Sequence, residues 1–351
     1  MSLKESIAAY DRSDMLSKLT GFAEQIRDAL RRAQETELPP PKADVRYVVV
    51  AGMGGSAIGG DIVRCYTYNL LPVPLQVVRY YDLPAYVGPH TLVFASSYSG
   101  ETEETLSAYN QAVEKGAQVV AVTSGGTLGR DAASRGFPVI SVPPGYPPRT
   151  ALGYLTFPML VTLQRLDLLP DISNDIEEAL GLVEGLIERY RPNATDNEAI
   201  RLAEQLLGKL PLIYASVVPM EAVAMRWKGQ FSENSKMLAW ANTFPELNHN
   251  EIVGWGQNRD LQSRIQVINL RDKFDHKRVQ LRMNITSEIL ASQGQRVLDV
   301  ESTGTSLLAR MFSLIVLGDF VSYYLAILNK VDPTPIENID LLKRRMKESA
   351  A

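Results

Sequence analysis

The sequence predicts an α/β fold with two doubly wound subdomains, each a mainly parallel sheet flanked by helices, and a C-terminal helical tail. Short apolar runs alternate with helix-compatible segments, and this alternation is typical of a parallel sheet. The runs are apolar at nearly every position, as expected for strands that are buried on both faces. The same alternation begins again after residue 210, which indicates that the architecture occurs twice.

The N-terminal segment, residues 1–42, is predicted to contain one helix before the first sheet. Ser13 and Asp14 are candidate N-cap residues, and apolar residues recur at helical spacing over residues 13–35. The run PPPK at 39–42 ends this segment, because proline cannot continue a helix interior.

The remaining elements divide the chain into four further parts. The first subdomain, residues 43–150, carries five predicted strands, at 45–52, 75–81, 91–97, 118–124 and 137–142. Residues 151–210 are predicted to be connecting helices. The first covers 150–169, the second continues through residue 189, and the third covers 197–207. The second subdomain, residues 211–331, carries predicted strands at 211–218, 264–270 and 296–302, with helices after each, the last over 306–328. Residues 332–351 form the tail.

The composition of the 351 residues excludes several classes of protein. Its 36 basic and 40 acidic residues give a net charge of −4, which argues against broad binding of nucleic acid or of anionic membranes. The single cysteine cannot form an intramolecular disulfide, and no segment has the pattern of a signal peptide or an uninterrupted apolar span long enough to cross a bilayer. The three histidines are far apart, so no metal site is expected. We therefore expect a cytoplasmic protein.

The loop GMGGSAIGGD, residues 52–61, follows the first predicted strand and begins a helix. Its glycines let the backbone approach a ligand closely, so Gly55 and Ser56 are candidate ligand-binding residues. A dinucleotide-binding loop is one alternative, but Ala57 replaces the third glycine of that motif and no acidic residue closes the second strand. A glycine turn that serves only packing is the other alternative.

Small hydroxyl side chains are concentrated in SSYSGETEET, residues 96–105, between a predicted strand and the next helix. Unpaired N–H groups and the helix dipole attract an anion there, and Ser97, Ser99 and Thr102 add donors, as a phosphomonoester requires. The three glutamates of this stretch would repel a dianion, so we expect them to face solvent in the first helical turn. For Ser99, a capping role without a ligand is the alternative.

The two loops together resemble the sugar isomerase (SIS) domain, in which a serine- and threonine-rich loop holds the phosphate of a phosphosugar. The segments PPGYPPRTALGYL at 143–155, RWKGQFSENSK at 226–236 and FPELNHNE at 244–251 narrow the resemblance to the bifunctional phosphoglucose/phosphomannose isomerase family. The resemblance covers nearly the whole chain. It implies an aldose–ketose isomerase that interconverts glucose 6-phosphate and mannose 6-phosphate with fructose 6-phosphate through an enediolate, without a metal or an organic cofactor.

Such a reaction needs a base, an acid and a cation. The resemblance implies that Glu233 is the base, and that His249 opens the sugar ring from the neighbouring subunit of a homodimer. Arg149, next to prolines at the edge of the first subdomain, is the candidate for the cation beside the developing negative charge. Each residue also has a structural alternative: a solvated acid at a helix end, an exposed histidine, and an arginine that braces a proline-rich loop.

The tail is implied to supply a lysine that assists ring opening and a threonine tied to the acceptance of both glucose and mannose epimers. Lys343 and Thr334 match these residues best, although the basic run from 343 to 347 is also typical of a solvated helix face. A second interpretation of the whole chain is a phosphosugar-binding sensor or regulatory protein without catalysis. Residues 1–40 offer one helix and a proline run rather than the helix-turn-helix of such regulators.

Overall fold

The computed structural model describes residues 2–41 and 43–349. The predicted boundary at residue 42, the start of the N-terminal segment at residue 1 and the end of the tail at 350–351 lie outside the described residues. Two parallel sheets flanked by helices make up the described chain, which confirms the predicted α/β class.

The first sheet contains all five strands predicted for it. They are β1 (Tyr47–Ala51), β2 (Leu75–Val78), β3 (Thr91–Ser96), β4 (Gln118–Thr123) and β5 (Val139–Ser141). The strands are parallel in the order β2-β1-β3-β4-β5, and β1 pairs with β3 from Tyr47 opposite Thr91 to Ala51 opposite Ala95. The strand order reverses between β1 and β3, and the carboxyl ends at such a point form a crevice where α/β proteins bind ligands.

The second sheet has one strand that the sequence did not predict. It consists of β6 (Leu210–Ser216), β7 (Trp240–Phe244), β8 (Ile265–Arg271) and β9 (Val297–Glu301), parallel in the order β7-β6-β8-β9. The unpredicted strand is β7, which lies at the sheet edge and buries only Phe244 fully. An edge strand that is only partly buried along most of its length lacks the continuous apolar run by which the other strands are predicted.

The N-terminal segment differs from the single helix predicted over 13–35. It forms α1 (Leu3–Tyr10), α2 (Met15–Thr20) and α3 (Phe22–Glu35). The predicted helix is divided at Gly21, and Asp14, not Ser13, is the N-cap, with its side chain accepting from the Ser17 N–H. Helix α1 begins with a capping box of Ser2 and Glu5, and its Leu3, Ile7 and Tyr10, at helical spacing, pack partly buried against the core. This signal was present in the sequence and was missed.

Eleven further helices flank the sheets within the described residues. They are α4 (Gly54–Thr67), α5 (Glu103–Glu114), α6 (Gly126–Ser134), α7 (Leu152–Arg165), α8 (Ser173–Tyr190), α9 (Glu198–Leu206), α10 (Glu221–Glu233), α11 (Arg259–Gln262), α12 (Lys277–Ser292), α13 (Leu307–Leu328) and α14 (Glu337–Ser349). Short 3₁₀ turns lie at Pro148–Thr150, Glu246–His249 and Glu251–Gly254.

Helix α13 lies at the centre of the apolar core. By length and composition it is apolar enough to cross a membrane, but it is almost entirely buried within the protein, where it packs against α8, α9 and α10. Its Phe312 ring lies 5.1 Å from the Phe157 ring of α7, centroid to centroid, and α7 packs in turn on α3 and α4 beside the first sheet. One continuous core therefore connects the helices of both sheets.

Candidate active site

The hydroxyl-rich loop predicted at 96–105 connects β3 to α5. Ser97 Oγ lies 2.9 Å from Thr102 Oγ1 and accepts a hydrogen bond from the Gly100 N–H. Gly100 has φ +71°, and a Cβ there would lie 2.0 Å from the Gly125 carbonyl oxygen, so only glycine fits this turn. Ser99 Oγ accepts a hydrogen bond from the Glu101 N–H, two residues further along the loop.

The start of α5 carries donors that no intrahelical acceptor satisfies. Thr102 is the N-cap residue, and within the described chain its side chain makes no capping hydrogen bond. The hydroxyls of Ser96 and Thr105, on either side of the loop, are buried and have no hydrogen-bond partner among the described residues. The uncapped N–H groups at this helix start, beside the hydroxyls of the loop, are suited to a bound anion.

The glutamates of the loop serve the starts of two helices. Glu103 and Glu104 lie in the first turn of α5, as predicted, where their negative charge interacts favourably with the positive end of the helix dipole. Glu101 is exposed as predicted, but its predicted place in the first turn is wrong, because α5 begins at Glu103. Its carboxylate instead accepts a hydrogen bond from the Thr127 N–H, in the first turn of α6, at 2.7 Å.

The glycine loop at the start of α4 contacts both neighbouring loops. Ser56 is buried, and its Oγ accepts a hydrogen bond from the Tyr98 N–H at 3.2 Å, which joins it to the hydroxyl-rich loop. Gly55 lies against the 3₁₀ turn that carries Arg149, and a Cβ at this position would be 2.6 Å from the Pro148 carbonyl oxygen. The absence of a side chain at Gly55 therefore lets the start of α4 approach the arginine turn.

Arg149 is the most highly coordinated side chain of the site. Its Nε donates to Asn234 Oδ1 at 2.6 Å, and its Nη2 donates to the carbonyls of Pro333 at 2.7 Å and Thr334 at 2.9 Å. Nη1 donates to Glu233 Oε2 at 3.3 Å. A guanidinium has five N–H groups, so one Nη1 hydrogen remains for a ligand.

Burial and charge act in opposite directions on Arg149. Only 3% of its side chain is exposed, against 31% for Glu233. Burial lowers the pKa of Arg149 from its ordinary value, while the Glu233 carboxylate raises it. Because an arginine pKa lies far above neutrality, the guanidinium stays charged and provides a fixed cation beside a partly exposed carboxylate.

Asn234 fixes the orientation of the Arg149 guanidinium. This asparagine is fully buried, and its Nδ2 donates to Ser322 Oγ of α13 at 2.9 Å. Ser322 Oγ in turn donates its only hydrogen to the Asp319 carbonyl at 2.8 Å. Towards Asn234 it can therefore only accept, so the NH₂ group of Asn234 must face Ser322. The amide oxygen of Asn234 must then face Arg149.

A buried ion pair supports the arginine turn from behind. Arg226 of α10 donates from Nε and Nη2 to the Asp319 carboxylate of α13, at 3.0 and 2.6 Å, and Nη2 also donates to the Arg149 carbonyl at 3.1 Å. Gln230 adds a third hydrogen bond to the same carboxylate. Burial raises the pKa of Asp319, and Arg226 opposes that shift. These groups, each unusual on an otherwise apolar helix face, were not predicted.

A cleft of about 170 Å³ lies between the glycine loop and α10. Gly55, Arg149 and Glu233 contribute to its lining, together with Arg79 and Lys228, which the sequence analysis did not single out. Arg79 follows β2 directly and is paired with Asp61 of α4. A charge within the strand predicted at 75–81, as at Arg79, was the available signal for this wall of the cleft.

The predicted site residues fall into two groups. Contacts within the chain connect Gly55, Ser56, Ser97, Ser99, Thr102, Arg149, Glu233 and Thr334. His249 and Lys343 are exposed, at the end of a 3₁₀ turn and on α14, and neither makes a side-chain hydrogen bond or ion pair with the first group in the described chain. The described residues contain no group of three or more His, Cys, Asp or Glu side chains placed to hold a metal ion.

Several known proteins are similar to this chain over most of its length. Residues 195–346 match the family model described as bacterial phospho-glucose isomerase C-terminal SIS domain. The bifunctional phosphoglucose/phosphomannose isomerase of Caldicellulosiruptor bescii is 45% identical, and the alignment covers 95% of this chain and 99% of that protein. The protein of the same name from Thermoplasma acidophilum is 39% identical, over 85% of this chain and 89% of the relative.

A solved structure shares the fold. A hypothetical protein from Thermus thermophilus superposes with a TM-score of 0.75, over 99% of this chain and 94% of that one, at 16% sequence identity. At this identity the likeness concerns the architecture alone.

Proposed function

The chain belongs to the bifunctional phosphoglucose/phosphomannose isomerase family, and from that premise we propose that it interconverts glucose 6-phosphate and mannose 6-phosphate with fructose 6-phosphate in the cytoplasm. It is an aldose–ketose isomerase of phosphosugars. The choice of sugars is supported by the names of the relatives, and the enediolate route is supported above all by the hydrogen bond between Arg149 and Glu233 at the wall of the cleft.

In the proposed reaction Glu233 removes the proton from C2 of the open-chain aldose and returns it to C1. The electron pair of the C2–H bond forms the C1–C2 double bond of the enediolate, and the negative charge develops on the C1 oxygen. The remaining Nη1 hydrogen of Arg149 would stabilise that oxygen. Proton return to C1, with transfer of the O2 proton to O1, completes the ketose.

The phosphate would be held at the opposite end of the sugar by Ser97, Ser99 and Thr102 with the first N–H groups of α5. Gly55 and Ser56 would contribute the adjacent wall. The spare donors at this helix start support the assignment, since a phosphate dianion accepts several short hydrogen bonds at once.

Ring opening would fall to the partner subunit's His249 in a homodimer, with Lys343 assisting and Thr334 supporting acceptance of both epimers. Within the described chain His249 is exposed and does not line the cleft, so this role would require a second subunit. A phosphosugar sensor would need only the hydroxyl-rich loop. The Arg149–Glu233 pair therefore favours catalysis over sensing.

The decisive experiment follows the hydrogen at C2. Glucose 6-phosphate and mannose 6-phosphate, each deuterated at C2, are incubated with the protein in water, and fructose 6-phosphate is followed by NMR. We expect ketose from both epimers, a primary isotope effect, and deuterium either retained at C1 or exchanged with solvent. No ketose from either epimer would refute the proposal, and ketose from only one would restrict it to that sugar.

A further inference from the structure

We propose that Lys236 is a positioning residue that clamps the C-terminal segment, defined as residues 332–336, onto the end of α10. The segment connects α13 to α14 and lies directly on Arg149. The clamp is a structural inference in itself, and only its kinetic consequence rests on the proposed function.

The clamp consists of three hydrogen bonds from one ammonium group. Lys236 Nζ donates to the Glu233 carbonyl at 2.5 Å, to the Pro333 carbonyl at 3.0 Å and to the Pro335 carbonyl at 2.5 Å. A lysine ammonium has three N–H donors, so all of them are used. One of the three acceptors belongs to the last residue of α10, and the other two belong to the C-terminal segment.

The backbone of the C-terminal segment depends on side-chain cations for its anchoring. Two of its five residues are prolines, which have no N–H group to donate. Within the described chain, its one N–H hydrogen bond runs from Thr334 to the Asp332 side chain, so it does not reach the rest of the protein. The carbonyls at 333, 334 and 335 are instead held by Arg149 and Lys236, through two hydrogen bonds each.

The position of this segment matters for the site for two reasons. The hydroxyl of Thr334 is buried and has no hydrogen-bond partner among the described residues, although its carbonyl is bound to Arg149. The segment is also the root of α14, a helix that buries no residue and carries Lys343. Because α14 buries no residue, the segment that precedes it helps to set its position.

The backbone at Lys236 supports a specific role for its side chain. Lys236 has φ +56°, in the left-handed region that costs a residue with a side chain about 1 kcal/mol or more. Lys330, at the end of α13, has a similar φ of +59°, but it makes no side-chain hydrogen bond in the described chain. The two lysines therefore form a matched pair that differs in the clamp.

Charged groups from three sides act on the Lys236 ammonium. Burial lowers its pKa to about 8, and Arg149 acts in the same direction, whereas Asp332, Glu233 and Glu337 oppose the shift. Above this pH the neutral amine has two donors instead of three and no charge. Because an exposed lysine in an opened state would bind this proton more tightly, opening of the segment should become less favourable as the pH rises through about 8.

The first test measures the mobility of α14 by limited trypsin cleavage at the basic run 343–347, resolved by mass spectrometry. Lys236→Met should be cleaved there about tenfold faster than the unmodified protein, because proteolysis follows the population of the opened state. Lys236→Arg keeps donors for the carbonyls and should restore the slow rate, and Lys330→Met is the matched control. In the unmodified protein, cleavage corrected for trypsin activity should slow between pH 7 and 9, and in Lys236→Arg it should not.

The second test is kinetic. In Lys236→Met, kcat for fructose 6-phosphate should fall about tenfold, because small displacements of positioned groups cost rate, while KM changes less than about twofold. Unchanged cleavage in Lys236→Met, failure of Lys236→Arg to rescue it, or faster cleavage with unchanged kcat would overturn the proposal. If the unmodified protein shows no isomerase activity, the proposed function fails while the cleavage test still decides the clamp.

Discussion

Nη1 of Arg149 donates to Oε2 of Glu233 at 3.3 Å, which joins the edge of the first sheet to the end of α10. The two residues are 84 positions apart in the chain, so the pair exists only when both halves are packed together. The sequence left open whether Arg149 braces its loop or serves a reaction. Its contacts with two carbonyls and one amide brace the loop, and its remaining Nη1 hydrogen is free for a substrate oxygen.

Replacing the proposed base tests this pair directly. In Glu233→Gln, kcat should fall by about 10²–10⁴, because the proton carrier is lost, whereas KM should stay within a few fold. Steady-state assays with fructose 6-phosphate measure both constants. Glu114→Gln is the matched control, since Glu114 is likewise the last residue of its helix, α5. Turnover of Glu233→Gln within tenfold of the unmodified enzyme would remove Glu233 from the mechanism.

The hydroxyl-rich loop should affect binding more than turnover. Each lost hydrogen bond to a charged phosphate costs about 1.5–3 kcal/mol, so Ser99→Ala with Thr102→Ala should raise KM at least about tenfold and leave kcat within about threefold. Competitive inhibition by inorganic phosphate should weaken in parallel. Ser134→Ala with Ser292→Ala removes two exposed helix hydroxyls as a control. A normal phosphate inhibition constant in the loop variant would contradict the assignment.

The strands and loops of the first sheet could be predicted from the sequence because their signals are local. Strands β1, β3 and β4 are buried on both faces and read as apolar runs, and each loop that follows β1 or β3 has a distinctive composition. Strand β7 could not be predicted in this way, because an edge strand that is only partly buried leaves no continuous apolar run, whereas helix α1 was missed although Leu3, Ile7 and Tyr10 recur at helical spacing.

The residue pairs that support the site could not be predicted from the sequence for a different reason. Arg226 and Asp319 are 93 positions apart, and Asn234 and Ser322 are 88 apart. One sequence shows that a charge interrupts an apolar helix, but not which residue compensates it. Only the packing of α10 on α13 brings these partners together.

Complementation between inactive variants tests the proposed homodimer. His249→Ala and Glu233→Gln should each be inactive alone, whereas co-refolded heterodimers should recover up to about one quarter to one half of normal activity. Recovery is expected because one of the two sites in each heterodimer keeps both native residues. Subunit exchange is verified by native mass spectrometry with one variant tagged. Verified heterodimers without activity would place the complete site within one chain or assign ring opening to another residue.

The Asn234 contacts predict a graded effect on Arg149. Asn234→Ala removes the acceptor for Arg149 Nε, so kcat should fall about tenfold to a hundredfold with a smaller change in KM. Ser322→Ala removes only the partner that orients the amide, and it should cost less, about threefold to tenfold in kcat. Asn242→Ala, at an asparagine of β7 whose side chain donates to Glu251, is the control. Equal kcat values for Asn234→Ala and the unmodified enzyme would show that Arg149 needs no such support.

Asp275 predicts a pH dependence of stability away from the site. Its carboxyl lies between β8 and α12, close to Asp272, which is ion-paired with Arg310 at 2.9 Å. Burial raises the pKa of Asp275 to about 6, and Asp272 adds to the shift, while Ser216 and Arg310 oppose it. The folded state therefore binds this proton more tightly than the unfolded state. Its contribution to stability is present at low pH and is lost as the pH rises from about 4 through 6.

Asp275→Asn should remove this dependence, because an amide does not ionise. The free energy of unfolding of the variant, relative to the unmodified protein, should increase between pH 4.5 and 7.5 by at most about 3 kcal/mol, the equivalent of about two pKa units. Urea titrations at both pH values measure it, with Asp260→Asn at an exposed position as the control. A difference that stays constant with pH would mean that Asp275 ionises with equal ease in the folded and unfolded chains, and that Arg310 compensates both acids in its cluster.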